Sequence, residues 1–476
     1  MIKKKTKIVA TISDKRCDVD FIKSLYEAGM DVVRINSAHL DIEGALKIIR
    51  NVREVSEHIG ILIDTKGPEI RTTVCDTPIN VTRGDTIYIE GNPHEKSIPG
   101  RLFVTHTSFS DDVPVGLPVL IDDGDVELRV VAKEGSALKC TACNDGVIGS
   151  RKSVNVPGAK ICLPSLTSKD REFLAMAARE DIDFIAHSFV RSARDVKDVR
   201  EVLNQFNSEI KIIAKIENQE GVDNIDEILD EVYGIMVARG DLAIEIPYEK
   251  IPGIQRMIIG KCIAQRRPVI VATQMLHSMI NSPRPTRAEV SDVASAVYSQ
   301  TDAMMLSGET ASGKYPIEAV RTMTKVALEV ESNKEKYIEM PASTNTGEIS
   351  GYLAKVAVKT SIRVGARAII ADTAGGRTIK DMAAFRGENI IMAQCYKKRT
   401  MRELALSYGV YADFQEKENS VDRFIHTALM KLTQTHELVD NDIVIILAGN
   451  FSGGSGFSFI EVGSVNYLRD RLSISD

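Results

Sequence analysis

Residues 210–217 read IKIIAKIE, and residues 234–241 read GIMVARGD. Both runs are short, rich in Val, Ile or Met, and almost without apolar–polar alternation. That pattern predicts strands covered on both faces, as in a parallel sheet, rather than strands with one wet side. Each ends on charge: Lys215 and Glu217 in the first, Arg239 and Asp241 in the second. Six runs of the same kind lie around them: KIVATIS (7–13), DVVRIN (31–36), ILIDTKG (61–67), DFIAHSF (183–189), PVIVATQM (268–275) and DAMMLSGE (302–309). Amphipathic helical patterns follow most of them. DVDFIKSLYEAG, SARDVKDVREVLNQF and TRAEVSDVASAVYSQ all place apolar residues three and four apart. Eight strand–helix units within residues 1–340 predict an α/β fold, a closed (β/α)₈ TIM barrel. A doubly wound open sheet would suit the single runs but leaves the number eight unexplained.

The repeat is interrupted once. Residues 69–164 show no long helical pattern but alternating segments such as TIYIEG and VELRVVAK between Gly, Pro and Asp turns. This predicts a β-rich domain inserted in a barrel loop, at a place suited to a lid. After a polar stretch at 340–350, ARAIIADT, ENIIMAQC and DIVIILAG read as strands separated by helices such as KKRTMRELALSYG. The expected division is a barrel of residues 1–68 and 165–340, a lid of 69–164, and a C-terminal α/β domain of 346–476.

Length and composition agree. A chain of 476 residues exceeds what one core can fill, and 43% hydrophobic with 26% charged residues suits a soluble globular protein. A net charge of −6 argues against a nucleic-acid partner. No apolar run is long enough for a signal peptide or a membrane helix, so the expected location is cytoplasmic. Seven scattered cysteines do not suggest a disulfide framework. Cys140 and Cys143 form a lone CxxC in an extended stretch, where odd spacing sends the side chains to opposite faces, so two ordinary thiols are expected rather than half a zinc site.

In a barrel of this kind the active site lies at the C-terminal strand ends. Those ends carry Arg34 and Asn36; Asp64, Thr65 and Lys66; Ser188; Lys215 and Glu217; Arg239 and Asp241; Thr273 and Gln274; Ser307 and Glu309. Glu217 and Asp241, on adjacent strands, could hold a hard divalent ion such as Mg²⁺. Lys215 shares the strand face of Glu217. Arg34 and Arg71 offer forked donors for phosphate oxygens. Metal, lysine and arginines around one point are the parts needed for phosphoryl transfer. No GxxxxGK[ST] loop is present, so this is not a P-loop enzyme.

The motifs at these positions are long: IDTKGPEIRT (63–72), IIAKIENQEGV (212–222), IMVARGDLAIEIP (235–247), VATQML (271–276), PTRAEVSDVA (285–294) and MLSGETASGKYP (305–316). In that order, with an insertion at that place, they resemble the pyruvate kinase family over most of the chain. The resemblance implies transfer of a phosphoryl group from phosphoenolpyruvate to ADP, giving pyruvate and ATP. It implies that Lys215 stabilises the transferring group and the enolate, and that Glu217 and Asp241 hold Mg²⁺ (or Mn²⁺). Arg34 would bind the phosphoryl group. The backbone of Arg239, Gly240 and Asp241 would take the substrate carboxylate, with Thr273 beside it and near the proton-delivery route. Ser307 is implied on that route too. Asn36, His39, Arg71 and, from the lid, Lys152 match positions on the nucleotide side. A K⁺ site is implied at Asn36, Asp64 and Thr65, and Glu69 is typical of K⁺-dependent members.

The chain departs from the family pattern in several places. RINSAHL (34–40) puts Ala38 where a serine hydroxyl usually helps bind the monovalent cation, and Ser37 next to it should face away if the stretch is extended. Ala243, His277 and Ser153 replace the usual Gly, Glu and Gly outside the catalytic positions. In the last domain DTAGGRTIKDMA (372–383) opens a helix, and Thr373, Gly375, Gly376, Arg377 and Thr378 form a candidate cradle for a phosphorylated effector. NFSGGSGFS (450–458) resembles a second effector loop without the Trp and basic residue of fructose-bisphosphate-regulated members. The family also implies a homotetramer. Two alternatives are a phosphoenolpyruvate- or pyruvate-handling lyase barrel and a catalytically inactive effector-binding homologue.

Overall fold

The structure, a computed structural model, describes residues 3–333, 349–449 and 459–473. The loop at 450–458 and most of the polar stretch at 340–350 lie outside the described residues.

Eight parallel strands close into a barrel: Lys7–Thr11, Val32–Asn36, Gly60–Asp64, Phe184–His187, Lys211–Ile216, Gly234–Ala238, Val269–Ala272 and Ala303–Leu306. Each predicted run supplies one of them. Their side chains divide by parity, as the strand repeat of two requires. Val9, Leu62, Phe184, Ala186, Ile213, Met236, Ile270 and Met305 pack together in one buried cluster. Ile8, Ile35, Ile63, Ile185, Ile212 and Val237 belong to a second cluster that includes the surrounding helices. Continuing the first set by two residues reaches Thr11, Asp64, Ser188, Lys215 and Ser307, and two more along the Lys215 strand reach Glu217. The polar strand ends are therefore the top layer of the columns that fill the barrel.

The helices follow their patterns. Val19–Ala28 starts at Asp18, whose side chain accepts from Phe21 N, and stops at left-handed Gly29. Ser168–Arg179 and Arg287–Tyr298 open with capping boxes, Thr167 with Asp170 and Thr286 with Glu289.

The inserted segment is β-rich, with one short helix at Phe109–Asp112. Six of its strands form a sheet and two more pair as Ile79–Val81 with Gly146–Ile148. Its core is its own, built from Ile87, Ile89, Leu102, Leu128, Leu138 and Cys140 among others. Cys140 is buried there and Cys143 is half-buried.

The C-terminal part is a five-stranded sheet in the order Val410–Phe414, Ile390–Cys395, Ala368–Thr373, Ile443–Ala448, Phe459–Ser464, the last antiparallel. It seals the lower end of the barrel. Leu406 joins the interior barrel cluster. Arg386 forks onto Asp302 at 2.8 and 2.6 Å, and Arg402 Nε reaches Asp183 at 2.6 Å. These acids begin two barrel strands, so charge pairs fasten the two parts below the site.

Candidate active site

Lys215 stands at the centre of the barrel mouth. Its Nζ donates to Ser188 Oγ at 2.7 Å and lies 3.1 Å from Asp64 Oδ1 and 2.9 Å from Glu217 Oε1. Asp64 Oδ2 accepts Arg34 Nε at 2.7 Å, and Arg34 Nη1 donates to Thr11 at 3.1 Å. Four strands and the residue that follows a fifth thus contribute to one buried network.

The charges explain one another. Burial would lower the Lys215 pKa, but Asp64 and Glu217 outweigh it and raise it above the ordinary lysine value. Burial would raise that of Asp64, and Arg34 with Lys215 reverses this and holds it low. Burial pushes the Glu217 carboxyl up to about 7 against the pull of Lys215, and Asp241 adds to the rise. A buried carboxyl held up in this way next to a second carboxylate is chemically suited to a cation.

Glu217 Oε2 accepts the Phe189 N–H at 2.7 Å. Its Oε1 is buried and ion-paired with Lys215 at 2.9 Å, with no other partner. Asp241, one strand further, is partly exposed. A buried carboxylate oxygen whose one partner is an ammonium, with a second carboxylate nearby, suits Mg²⁺ or Mn²⁺, with the rest of the shell left to water and substrate. On the other side Asn36 pairs in register with Asp64. Thr65 is buried, and its carbonyl accepts Ser188 Oγ at 2.7 Å. The three oxygen-bearing residues implied for K⁺ are therefore together. Ser37 lies in a turn rather than in extended backbone, fully buried, with a hydroxyl that has no partner.

After the seventh strand, Thr273 and Gln274 adopt φ of +68° and +53°. For non-glycine residues this costs roughly 1–2 kcal/mol each. The kink turns Thr273 Oγ1 back, so that it accepts Gly240 N–H at 2.7 Å and donates to Ala272 O at 2.6 Å. Gly240 begins the short helix Arg239–Glu245, and its N–H is thus already engaged. The Arg239 side chain folds back onto the protein. It is anchored on Asp292 and on Thr273 O, both at 2.8 Å. Glu309 is a brace: its oxygens accept Ser307 N at 2.8 Å and Leu276 N at 3.1 Å.

Of the residues expected on the nucleotide side, Asn36 adjoins Asp64 and the other three stand apart from this network. His39 is exposed. Arg71 forks onto Glu69 at 2.8 and 2.6 Å, and Lys152 pairs with Asp122 at 2.5 Å on the lid. In the C-terminal sheet Thr373 Oγ1 accepts Gly376 N at 2.8 Å, and Gly376, at φ +78°, opens the helix Arg377–Ala384. Gly375 and Arg377 are exposed and Thr378 half-buried around that turn. Asp372 beside it accepts Tyr396 OH and Gly449 N, each at 2.8 Å.

Three functional contacts were not foreseen from the sequence: Ser188 as the partner of Lys215, the Phe189 amide on Glu217, and Asp292 as the anchor of Arg239. The last sits inside PTRAEVSDVA, whose Thr286 and Glu289 form a helix cap. A motif with more fixed polar residues than a cap needs was the available signal.

Comparison with known proteins is consistent along the whole chain. Residues 3–320 match the family model of the pyruvate kinase barrel domain, and residues 352–462 that of the pyruvate kinase alpha/beta domain. The chain is 46% identical to a pyruvate kinase of Borreliella burgdorferi over 470 residues, 98% of each protein. It is 42% identical to a pyruvate kinase of Geobacillus stearothermophilus, over all of this chain and 81% of that one. A solved structure of a pyruvate kinase from Cryptosporidium parvum superposes with a TM-score of 0.91 at 35% identity, covering 97% of this chain and 96% of the other. Neither a lyase nor an inactive homologue is favoured by these likenesses.

Proposed function

This chain belongs to the pyruvate kinase family, a phosphotransferase of glycolysis acting on phosphoenolpyruvate and ADP, and from that premise we propose how its own residues carry the reaction. The observation that carries the reading is the Lys215–Asp64–Arg34 network: two cations fixed by one buried carboxylate at the mouth of a barrel.

Arg34 commits Nε and Nη1 to Asp64 and Thr11, which aims the rest of its fork at a phosphoryl oxygen. Lys215, kept protonated by its acidic neighbours, neutralises charge on the transferring group and on the enolate oxygen left behind. The helical turn at Arg239–Asp241, held by Thr273 and Asp292, receives the substrate carboxylate. Thr273 and Ser307 line the side from which a water protonates the enolate carbon. His39, Asn36, Arg71 and Lys152 take the nucleotide phosphates once the lid approaches, and Arg71 and Lys152 then exchange Glu69 and Asp122 for phosphate. Glu217 and Asp241 would hold Mg²⁺ (or Mn²⁺), and Asn36, Asp64 and Thr65 would hold K⁺. When bound, these ions supply charge neutralisation and template the oxygens of the two substrates.

The glycine turn at 373–378 is the candidate seat of a phosphorylated effector, supported by its position at a helix start. A homotetramer belongs to the same reading, supported by membership of the family. Among the described residues no helix is long and apolar enough to cross a membrane, and all seven cysteines are free, which supports the cytoplasm as the location.

The test is pyruvate formation from phosphoenolpyruvate and ADP with Mg²⁺, with and without K⁺. ADP-dependent turnover that rises with K⁺ supports the whole assignment. Turnover indifferent to K⁺ removes Asn36, Asp64 and Thr65 from a cation site, and no ADP-dependent turnover overturns the reading.

A further inference from the structure

Both linkers of the lid meet the barrel at one loop, residues 188–191, and that loop also holds the Lys215–Glu217 centre. Ser188 Oγ accepts Lys215 Nζ at 2.7 Å. Phe189, at φ +56°, turns its N–H onto Glu217 Oε2 at 2.7 Å. The outgoing linker passes at Gly67, φ +70°, where a Cβ would come within 2.9 Å of the Phe189 ring and of Ser188 Cβ. The return linker is gripped by Arg191, whose Nη2 donates to Leu163 O at 2.9 Å and Nη1 to Ile161 O at 3.3 Å.

Arg191 is itself held. Asp195, 6% exposed, takes its Nη2 at 3.0 Å, its Nε at 3.2 Å and its backbone N–H at 2.9 Å. Asn224 Nδ2 donates to Arg191 O at 2.9 Å. Gly221 lets its helix approach so closely that a Cβ would stand 2.5 Å from Val190 O. The loop is therefore fixed from the barrel side.

The return linker is not fixed by itself. Between Asn155 and Ser168 it has no helix or strand; Ala159 N bonds Val156 O and Leu163 N bonds Ile161 O within it, which leaves Leu163 O to an outside donor. Beneath it lies a cavity of about 370 Å³, bordered by Val156, Ile161, Leu163, Asn218 and Glu245. Ile161 and Leu163 pack against the core of the lid, and a guanidinium taking the carbonyls of both ties the linker to the barrel.

We propose that Arg191 is a positioning residue for phosphoryl transfer, a latch that fixes the return linker and so registers the lid over Lys215 and Glu217. The inference rests on the phosphotransferase reading above for its effect on rate, but not for the latch itself. Because the lid carries Arg71 and Lys152, the nucleotide is the substrate that should feel the change. The carboxylate turn at Arg239–Asp241 belongs to the barrel and should not.

The experiment compares wild type with Arg191→Gln, Arg191→Lys and Asp195→Asn, by steady-state kinetics and by amide hydrogen exchange. For Arg191→Gln the expected result is kcat about tenfold lower and KM for ADP several-fold higher, with KM for phosphoenolpyruvate changed less than about twofold. Exchange at residues 156–166 should quicken about tenfold while the barrel strands keep their protection. Arg191→Lys can reach one carbonyl and should recover part of both effects. Asp195→Asn keeps the shape of the anchor and should show the same signature in weaker form.

Wild-type exchange at 156–166 in both Arg191→Gln and Asp195→Asn overturns the latch. So does faster exchange spread over the whole barrel, which would mark a general loss of stability, or a loose linker with wild-type kinetics. If wild type itself forms no pyruvate, the functional reading fails, and the exchange arm alone still decides whether Arg191 holds the linker.

Discussion

Lys215 Nζ lies 3.1 Å from Asp64 Oδ1, and that pair sets the electrostatics of the barrel mouth. The other oxygen of Asp64 takes Arg34, so one buried carboxylate orients two cations toward the same space. Pairing at this depth does not ensure stability, because desolvation offsets much of the attraction. Its value is that the charges stand ready and need no reorganisation when negative charge develops beside them.

The metal assignment gives the first prediction. Asp241→Asn keeps the shape of the side chain and removes its charge, so the Mg²⁺ concentration for half-maximal activity should rise at least about tenfold. Titrating Mg²⁺ against initial rate checks this. An unchanged activation curve would take Asp241 out of the site.

The anchor of Arg239 gives the second. Asp292 is about a third exposed, at 36%, so losing its ion pair should cost little stability. It should loosen the turn that receives the substrate carboxylate. For Asp292→Ala we expect kcat/KM for phosphoenolpyruvate to fall roughly tenfold, mostly through KM. A kcat/KM equal to wild type would show that the turn needs no such anchor.

The third concerns stability below the barrel. Arg386 and Asp302 are 9% and 3% exposed and meet through two hydrogen bonds. Arg386→Leu leaves Asp302 buried, with the backbone N–H groups of Val269 and Tyr408 as its remaining donors. Unfolding in urea should show a loss of about 3 kcal/mol. A loss under about 1 kcal/mol would mean that those amides suffice for the carboxylate.

Much of this was legible in the chain itself. IKIIAKIE and its seven counterparts are strands because unbroken apolar runs suit a sheet covered on both sides, and parity then carried Lys215 and Glu217 to the same face. The β-rich insertion showed in alternating segments such as TIYIEG, which is the strand Thr86–Gly91. Other features were hidden for physical reasons. The strand Val410–Phe414 is largely half-buried, so it lacks the apolar run that marked the others. The Phe189 amide on Glu217 is a backbone contact, independent of the side chain and invisible in a residue list. Ser37 faces away only if the stretch is extended; the strand ends at Asn36, and Ser37 lies buried in the turn that follows. The Arg239 side chain appears in the sequence only as one charge at a strand end. Only the fold shows that Asp292 and Thr273 O have claimed it.

The most direct test of the account is turnover by Lys215→Met, beside wild type, at saturating phosphoenolpyruvate, ADP, Mg²⁺ and K⁺. Methionine keeps the length and apolar stem of the side chain and removes only the ammonium. Pyruvate formation should fall by about 100- to 1,000-fold, while phosphoenolpyruvate, measured by equilibrium binding in the presence of Mg²⁺, still binds within a few-fold of wild type. Turnover within a few-fold of wild type would contradict the assignment of Lys215 as the group that carries the transfer.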